Sequence, residues 1–120
     1  MKRVLLIEDE VWQADILARQ LHDYHVMVAR NGQSAIDVID EAIPDVIILD
    51  LLLSGSTGLT VLHELRSHSD LSDIPIIVMT NIADSVTLEQ LESYGVTDLL
   101  DKTLLKPGDV MRAVEKAIAL

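Results

Sequence analysis

Apolar residues along this chain fall into two patterns. The first is a set of short unbroken runs: Val4-Leu5-Leu6-Ile7, Val46-Ile47-Ile48-Leu49 and Ile76-Ile77-Val78-Met79. Each is rich in β-branched residues and stops at a polar group, respectively Glu8-Asp9-Glu10, Asp50 and Thr80. Runs of this length predict strands buried on both faces, as in the middle of a parallel sheet. Pro44 and the Ser54-Gly55-Ser56-Thr57-Gly58 stretch bound the middle run as they would a strand. Two weaker strands follow from Val26-Met27-Val28, half alternating and suited to a position nearer the sheet edge, and from Leu99-Leu100, closed by Asp101-Lys102. The second pattern is one-sided helical spacing. It predicts a helix over Val11 to Leu21 with Ala14, Leu17, Ala18 and Leu21 inward, and one from an Asn31 cap to about Ala42 with Ala35, Ile36 and Ile39 inward. A third runs from about Gly58 to His68 on Leu59, Leu62 and Leu65. Ser85 caps a fourth that reaches Tyr94, with Gly95 at its C-cap. The last has Pro107 in its first turn and Val110, Met111, Val114 and Ile118 facing in.

Strand and helix thus alternate five times at nearly even spacing. The expected fold is α/β, a doubly wound parallel sheet of five strands with helices on both faces. Right-handed crossovers keep every strand's carboxyl end on one edge, where ligands and chemistry collect in open α/β sheets. The 120 residues suit a single domain over 1–120, with no linker or further repeat.

Composition narrows the function. Twenty acidic residues against nine Lys and Arg give a formal charge of -11, which repels phosphate backbones and anionic lipid. One Trp, two Tyr and no Phe leave no platform for stacking bases. No Cys means no disulfide frame and no thiolate metal site. No apolar run approaches the roughly 20 residues that span a bilayer, and the N-terminus turns acidic too early for a signal peptide. The expectation is a cytoplasmic protein with neither nucleic acid nor membrane as a direct partner, starting naturally at Met1.

The shared strand edge then receives Glu8 and Asp9 from the first strand, Asp50 from the third, Thr80 from the fourth and Lys102 from the fifth. Carboxylates about 5 Å apart repel by roughly 3 kcal/mol per pair at an effective dielectric near 20. One lysine does not balance three of them, so a proton or a divalent cation must enter. Hard oxygen donors without His or Cys favour Mg²⁺, which keeps open positions for a phosphoryl oxygen. Thr80 offers a hydroxyl and Lys102 a compact positive charge to the remaining phosphoryl oxygens. A carboxylate beside both cations can serve as the nucleophile for acyl phosphate formation.

Glu8-Asp9, Asp50, Thr80 and Lys102, in order and in register over essentially the whole chain, resemble the receiver domain of two-component response regulators, the CheY-like family. The intervals from Asp50 to Gly58, from Thr80 to Gly95 and from Gly95 to Lys102 are similar to that family's. The resemblance implies a flavodoxin-like strand order 2-1-3-4-5. It implies that Asp50 is the phosphoacceptor, taking a phosphoryl group from a phosphohistidine of a sensor histidine kinase or histidine phosphotransfer protein. By the same match Asp9 and Asp50 hold Mg²⁺ directly, Glu8 holds it through water, and the Leu52 backbone carbonyl supplies another ligand. Thr80 and Lys102 bind the phosphoryl group. Phosphorylation then repacks the face of helix 4, strand 5 and helix 5 toward a downstream protein or output domain. The protein is on this reading a signalling phosphoacceptor, monomeric or weakly dimeric, with only self-catalysed phosphoryl transfer and slow autodephosphorylation.

Three positions depart from the family pattern, and two more are variable places that tune it. Thr103 stands where the family has Pro, so a cis bond after Lys102 is in question. Asn81 stands where a small residue is usual, and Leu99 where an aromatic switch residue is usual. Leu52 and Ile82 occupy the places that tune attack by water; two apolar side chains there imply a long-lived acyl phosphate. Trp12 is read as a half-buried packing anchor before a kinase contact, His22, His25, His63 and His68 as surface residues, and Asp45 as a solubilising loop charge. Two other classes share parts of the pattern. A Mg²⁺-dependent phosphatase or phosphotransferase with an aspartyl nucleophile would want a general acid where Leu52 stands. A flavodoxin-like FMN carrier would want a hydroxyl- and glycine-rich loop where Glu8-Asp9-Glu10 stands.

Overall fold

The computed structural model describes residues 1–53, 56–68, 71, 73–81 and 88–119. Strand β1 (Arg3–Ile7) leads to helix α1 (Val11–Gln20), β2 (His25–Ala29) to α2 (Gly32–Glu41), and β3 (Val46–Asp50) to α3 (Gly58–Arg66). Strand β4 (Ile76–Thr80) is followed by α4, described over Leu88–Leu91 and continued by a 3-10 turn (Glu92–Tyr94); β5 (Val96–Asp101) precedes α5 (Asp109–Ala119). All five strands pair in parallel in the order β2-β1-β3-β4-β5. That is the order 2-1-3-4-5. Between β3 and α3 lies a two-residue antiparallel pairing of Leu52–Leu53 with Ser56–Thr57, where the sequence suggested only a loop. Ser85, the expected cap of α4, and Ile82 lie outside the described residues.

Strand alternation sorts the core into two layers. Leu5, Ile7, Ile47, Leu49, Ile76 and Val78 pack with Ala35 and Ile39 of α2, Val61, Leu62 and Leu65 of α3, and Leu91 of α4. Val4, Leu6, Val46, Ile48, Ile77 and Met79 pack with Ala14 and Leu17 of α1, the adjoining Leu21, and Val110, Ala113, Val114 and Ala117 of α5. Every residue of β3 and β4 is buried, which is why these runs show no polar alternation. The helices rotate slightly from expectation. Leu59 is exposed and Val61 takes its place. On α5 the small Ala113 and Ala117 sit at the centre of the contact, and Met111 and Ile118 flank it. Pro107 lies outside α5, which starts at Asp109; the Asp109 carboxylate accepts the Lys106 backbone N–H at 2.8 Å. Asn31 caps α2 as expected, accepting the Ser34 N–H at 2.8 Å. Asp45 does more than solubilise: it accepts the Arg3 N–H at 2.7 Å and so fixes the start of β1. All four histidines are exposed.

Arg66, the last residue of α3, ties three segments together. Its guanidinium donates to the carbonyls of Tyr94, Leu71 and Ile74. Burial pushes its pKa below the ordinary arginine value, with Asp73 working the other way. Gly95 at φ 78 leaves room for it, since a Cβ there would run into the guanidinium. Replacing Arg66 by Met removes all three bonds, leaving Leu71 O with only the Ile74 N–H, and is expected to cost about 2–4 kcal/mol. Urea unfolding checks this; a loss below 1 kcal/mol, on the same scale, would show the three bonds to be dispensable.

Candidate phosphoacceptor site

Parallel strands deliver the site to one edge. Glu8 follows β1, Asp50 ends β3, Thr80 ends β4 and Lys102 follows β5. The pairing continues past the strand ends: Glu8 N–H donates to Ala29 O at 2.9 Å, and Lys102 N–H to Thr80 O at 3.1 Å. Alternation also decides which side each group takes. Leu6, Ile48 and Leu100 belong to the layer beneath α1 and α5; two residues on from each stand Glu8, Asp50 and Lys102. These three meet. Lys102 Nζ donates to Glu8 Oε1 and to Asp50 Oδ2, both at 2.8 Å. Glu8 is 1% exposed and Asp50 6%, and Thr80 is fully buried. Carboxylate oxygens of Glu8, Asp9 and Asp50 lie within 4.8 Å of one another.

Electrostatics follows from this crowding. Burial lifts the Glu8 pKa above the usual carboxylate range; Lys102 opposes that and neighbouring Asp50 adds to it. Burial acts against the charge of Lys102, but hydrogen bonds to Asp50 and Glu8 outweigh it and raise its pKa. Three hard oxygen donors so close, with one ammonium among them, fit a small divalent cation. The Leu52 carbonyl belongs to the short pairing just beyond β3.

Every peptide bond described is trans, Lys102–Thr103 included. Thr103 keeps the N–H that a proline would lack and uses it: N–H and Oγ1–H donate to the Asp101 carboxylate at 2.9 and 2.6 Å. Those bonds, the hydroxyl's first, hold Asp101 below its ordinary pKa. Asn81 is exposed. Leu99 is partly buried against the layer beneath α2, α3 and α4. Trp12 is 61% exposed and is no packing anchor. It stands with Ile16, Leu17, Met79, Leu105 and Pro107 around a cavity of about 240 Å³ beside Lys102.

Two neighbours escaped the sequence reading. Gln13, in the first turn of α1, accepts from Lys102 Nζ at 2.8 Å. Its signal was its place, one turn into the helix that leaves the acidic loop. Arg30, after β2, lines a cleft with Asp9, Asn31 and Ser34.

A five-stranded parallel sheet carrying three carboxylates and a lysine at its carboxyl edge defines a receiver module of two-component signalling. The chain belongs to the response regulator receiver domain family, whose model matches residues 4–115. It is 32% identical to the Guillardia theta protein named "Probable transcriptional regulator ycf27", over 97% of this chain and 48% of that protein. It is 34% identical to the sensor histidine kinase TmoS of Ectopseudomonas mendocina, over 83% of this chain and 10% of that protein. The chain thus spans about half or less of the length of these relatives. Among solved structures, the signal receiver domain of a histidine kinase from Syntrophus aciditrophicus superposes with a TM-score of 0.85 at 26% identity, covering 99% of this chain and 91% of that one. Among the described residues, no helix is long and apolar enough to cross a membrane.

Proposed function

We propose that Asp50 is the phosphoacceptor of this receiver domain, a single unit over residues 1–120. The carrying observation is the contact of its carboxylate with Lys102 in a carboxylate cluster, buried at Glu8 and Asp50 and partly buried at Asp9, at the sheet's carboxyl edge. An Asp50 carboxylate oxygen attacks the phosphorus of a phosphohistidine, presented by a sensor histidine kinase or histidine phosphotransfer protein. The new O–P bond forms as the P–N bond breaks, and the departing imidazole takes a proton. Lys102 and Thr80 donate to the phosphoryl oxygens and stabilise the charge that spreads over them. Asp9 and Asp50 would hold Mg²⁺ directly, Glu8 through water, and the Leu52 carbonyl would complete the protein's share. Mg²⁺, when bound, neutralises part of the charge on the phosphoryl oxygens.

The Asp50 acyl phosphate then biases the face of α4, β5 and α5 toward a downstream partner or output domain. With Leu99 at the usual aromatic position, side-chain packing carries that coupling. The reading places the domain in the cytoplasm, as a self-phosphorylating acceptor and not an enzyme turning over other substrates. Incubation with Mg²⁺ and acetyl phosphate, followed by intact mass, tests it. The expected result is the gain of one phosphoryl group by the wild type and none by Asp50→Asn. Equal labelling of both would remove Asp50 from the role.

A further inference from the structure

The Lys102 ammonium has three N–H donors, and each is occupied: Glu8 Oε1, Asp50 Oδ2 and Gln13 Oε1 all accept at 2.8 Å. Glu8 and Asp50 belong to the carboxylate cluster. Gln13 is a neutral amide from α1. The Lys102 side chain is 11% exposed, so little water stands ready to replace a lost acceptor. A phosphoryl oxygen arriving at Asp50 therefore meets no spare donor on Lys102 until one acceptor is released. Bonds between two ions are stronger than those between an ion and a neutral amide, so the acceptor released is Gln13.

We infer that Gln13 is a positioning residue that parks the Lys102 ammonium in the resting protein and competes with the phosphoryl group for its third donor. The inference rests on the reading of Asp50 as phosphoacceptor. It adds no bond-breaking step: Lys102 exchanges an amide oxygen for a phosphoryl oxygen and keeps its protons. Competition of this kind is one-sided. Gln13 stabilises the resting state and has no contact with the ammonium once the phosphoryl group is held. It slows capture of the phosphoryl group and leaves its later loss untouched. A packing defect in α1 would disturb both.

The test measures two rates by intact mass: labelling by acetyl phosphate at saturating Mg²⁺, and loss of label after the donor is removed. Gln13→Met keeps the length and deletes the amide, and should label about fivefold faster than wild type. Gln13→Ala, which cannot crowd the site, should move the same way even if the longer Met side chain fits badly. Gln13→Glu strengthens the parking and should label about fivefold slower. Rates of loss should stay within about twofold across the series, well under the expected change in capture. Met and Ala variants no faster than wild type, a Glu variant no slower, or loss rates shifting in parallel with labelling would each overturn the inference. If the wild type labels on Asp50 and the series is flat, Gln13 alone loses its role. If the wild type does not label, the phosphoacceptor reading falls and takes this inference with it.

Discussion

Lys102→Met is expected to destabilise the metal-free protein at neutral pH by about 3–5 kcal/mol, because it leaves two buried carboxylates beside each other with no counter-charge. The Lys102 ammonium is the cation bonded to both Glu8 and Asp50, and those residues are only 1% and 6% exposed. The loss should depend on pH in a direction fixed by Glu8. Its folded-state pKa is already raised by burial, with Lys102 holding it down. Removing Lys102 raises it further. A carboxyl with a raised folded-state pKa binds its proton more tightly folded than unfolded. Stability therefore falls as pH climbs from the ordinary carboxylate value toward the raised one, and recovers on acidification. The variant's deficit should shrink on acidification, as protonation of Glu8 removes one of the two charges. Lys102 itself contributes in the opposite window. Its raised pKa gives stability that is fully present below the ordinary 10.5 and lost as pH rises through the folded-state value. Urea melts of wild type and variant in EDTA, at about pH 5 and about pH 7.5, read the effect. Mg²⁺ should narrow the gap at the higher pH, since a divalent ion substitutes for the missing charge. Equal deficits at both pH values would show that carboxylate crowding is not what Lys102 relieves. The same variant should capture phosphoryl groups at least about a hundredfold more slowly, the usual scale for removing a donor aimed at developing charge.

The sheet was legible because burial on both faces left runs such as Val46-Ile47-Ile48-Leu49 with no polar interruption, and each run ended where its carboxylate or hydroxyl was needed. Convergence of Glu8, Asp9, Asp50 and Lys102 followed from topology alone: parallel strands with right-handed crossovers have one carboxyl edge. Three kinds of feature lay out of reach. Helix rotation depends on how closely an element approaches the sheet, so Ala113 and Ala117 displaced Met111 and Ile118 at the centre of the α5 contact. Side-chain to backbone bonds re-shape turns without changing hydropathy: Thr103 bonded to Asp101 gives the chain after β5 its own geometry, with a trans peptide. Polar partners such as Gln13 are marked by position alone, because an amide in the first turn of a surface helix is ordinary until the packed structure supplies Lys102.

Gly58→Ala carries the other large effect, and the reason is space, not backbone conformation. Among the described residues the positive-φ glycines are Gly95 and Gly108, so Gly58 itself adopts a φ open to any residue. A Cβ at Gly58 would stand 2.5 Å from Leu51 Cα, 2.9 Å from the Asp50 carbonyl oxygen and 2.9 Å from Leu51 Cδ2. Two of those three atoms are backbone of the segment that carries the proposed phosphoacceptor. The close approach is held from the other side as well, since Gly58 N–H donates to Leu51 O at 2.8 Å. A methyl group there must push α3 away from β3 or displace Asp50 and Leu51, and overpacking of this kind costs about 1–3 kcal/mol or more. Displacement of the Asp50 carboxylate by a fraction of an ångström to an ångström should slow phosphoryl capture by about ten- to a hundredfold. Gly32→Ala is the matched comparison. Its Cβ would meet the Cγ2 of Val61 at 3.1 Å, a side-chain tip that can give by a few tenths of an ångström. It also adds a better helix former at the start of α2, so its stability should change by less than about 1 kcal/mol. Urea midpoints and acetyl phosphate labelling rates on the two alanine variants separate the cases. If Gly58→Ala matches wild type in both, then the contact of α3 with the end of β3 is not what holds Asp50 in place.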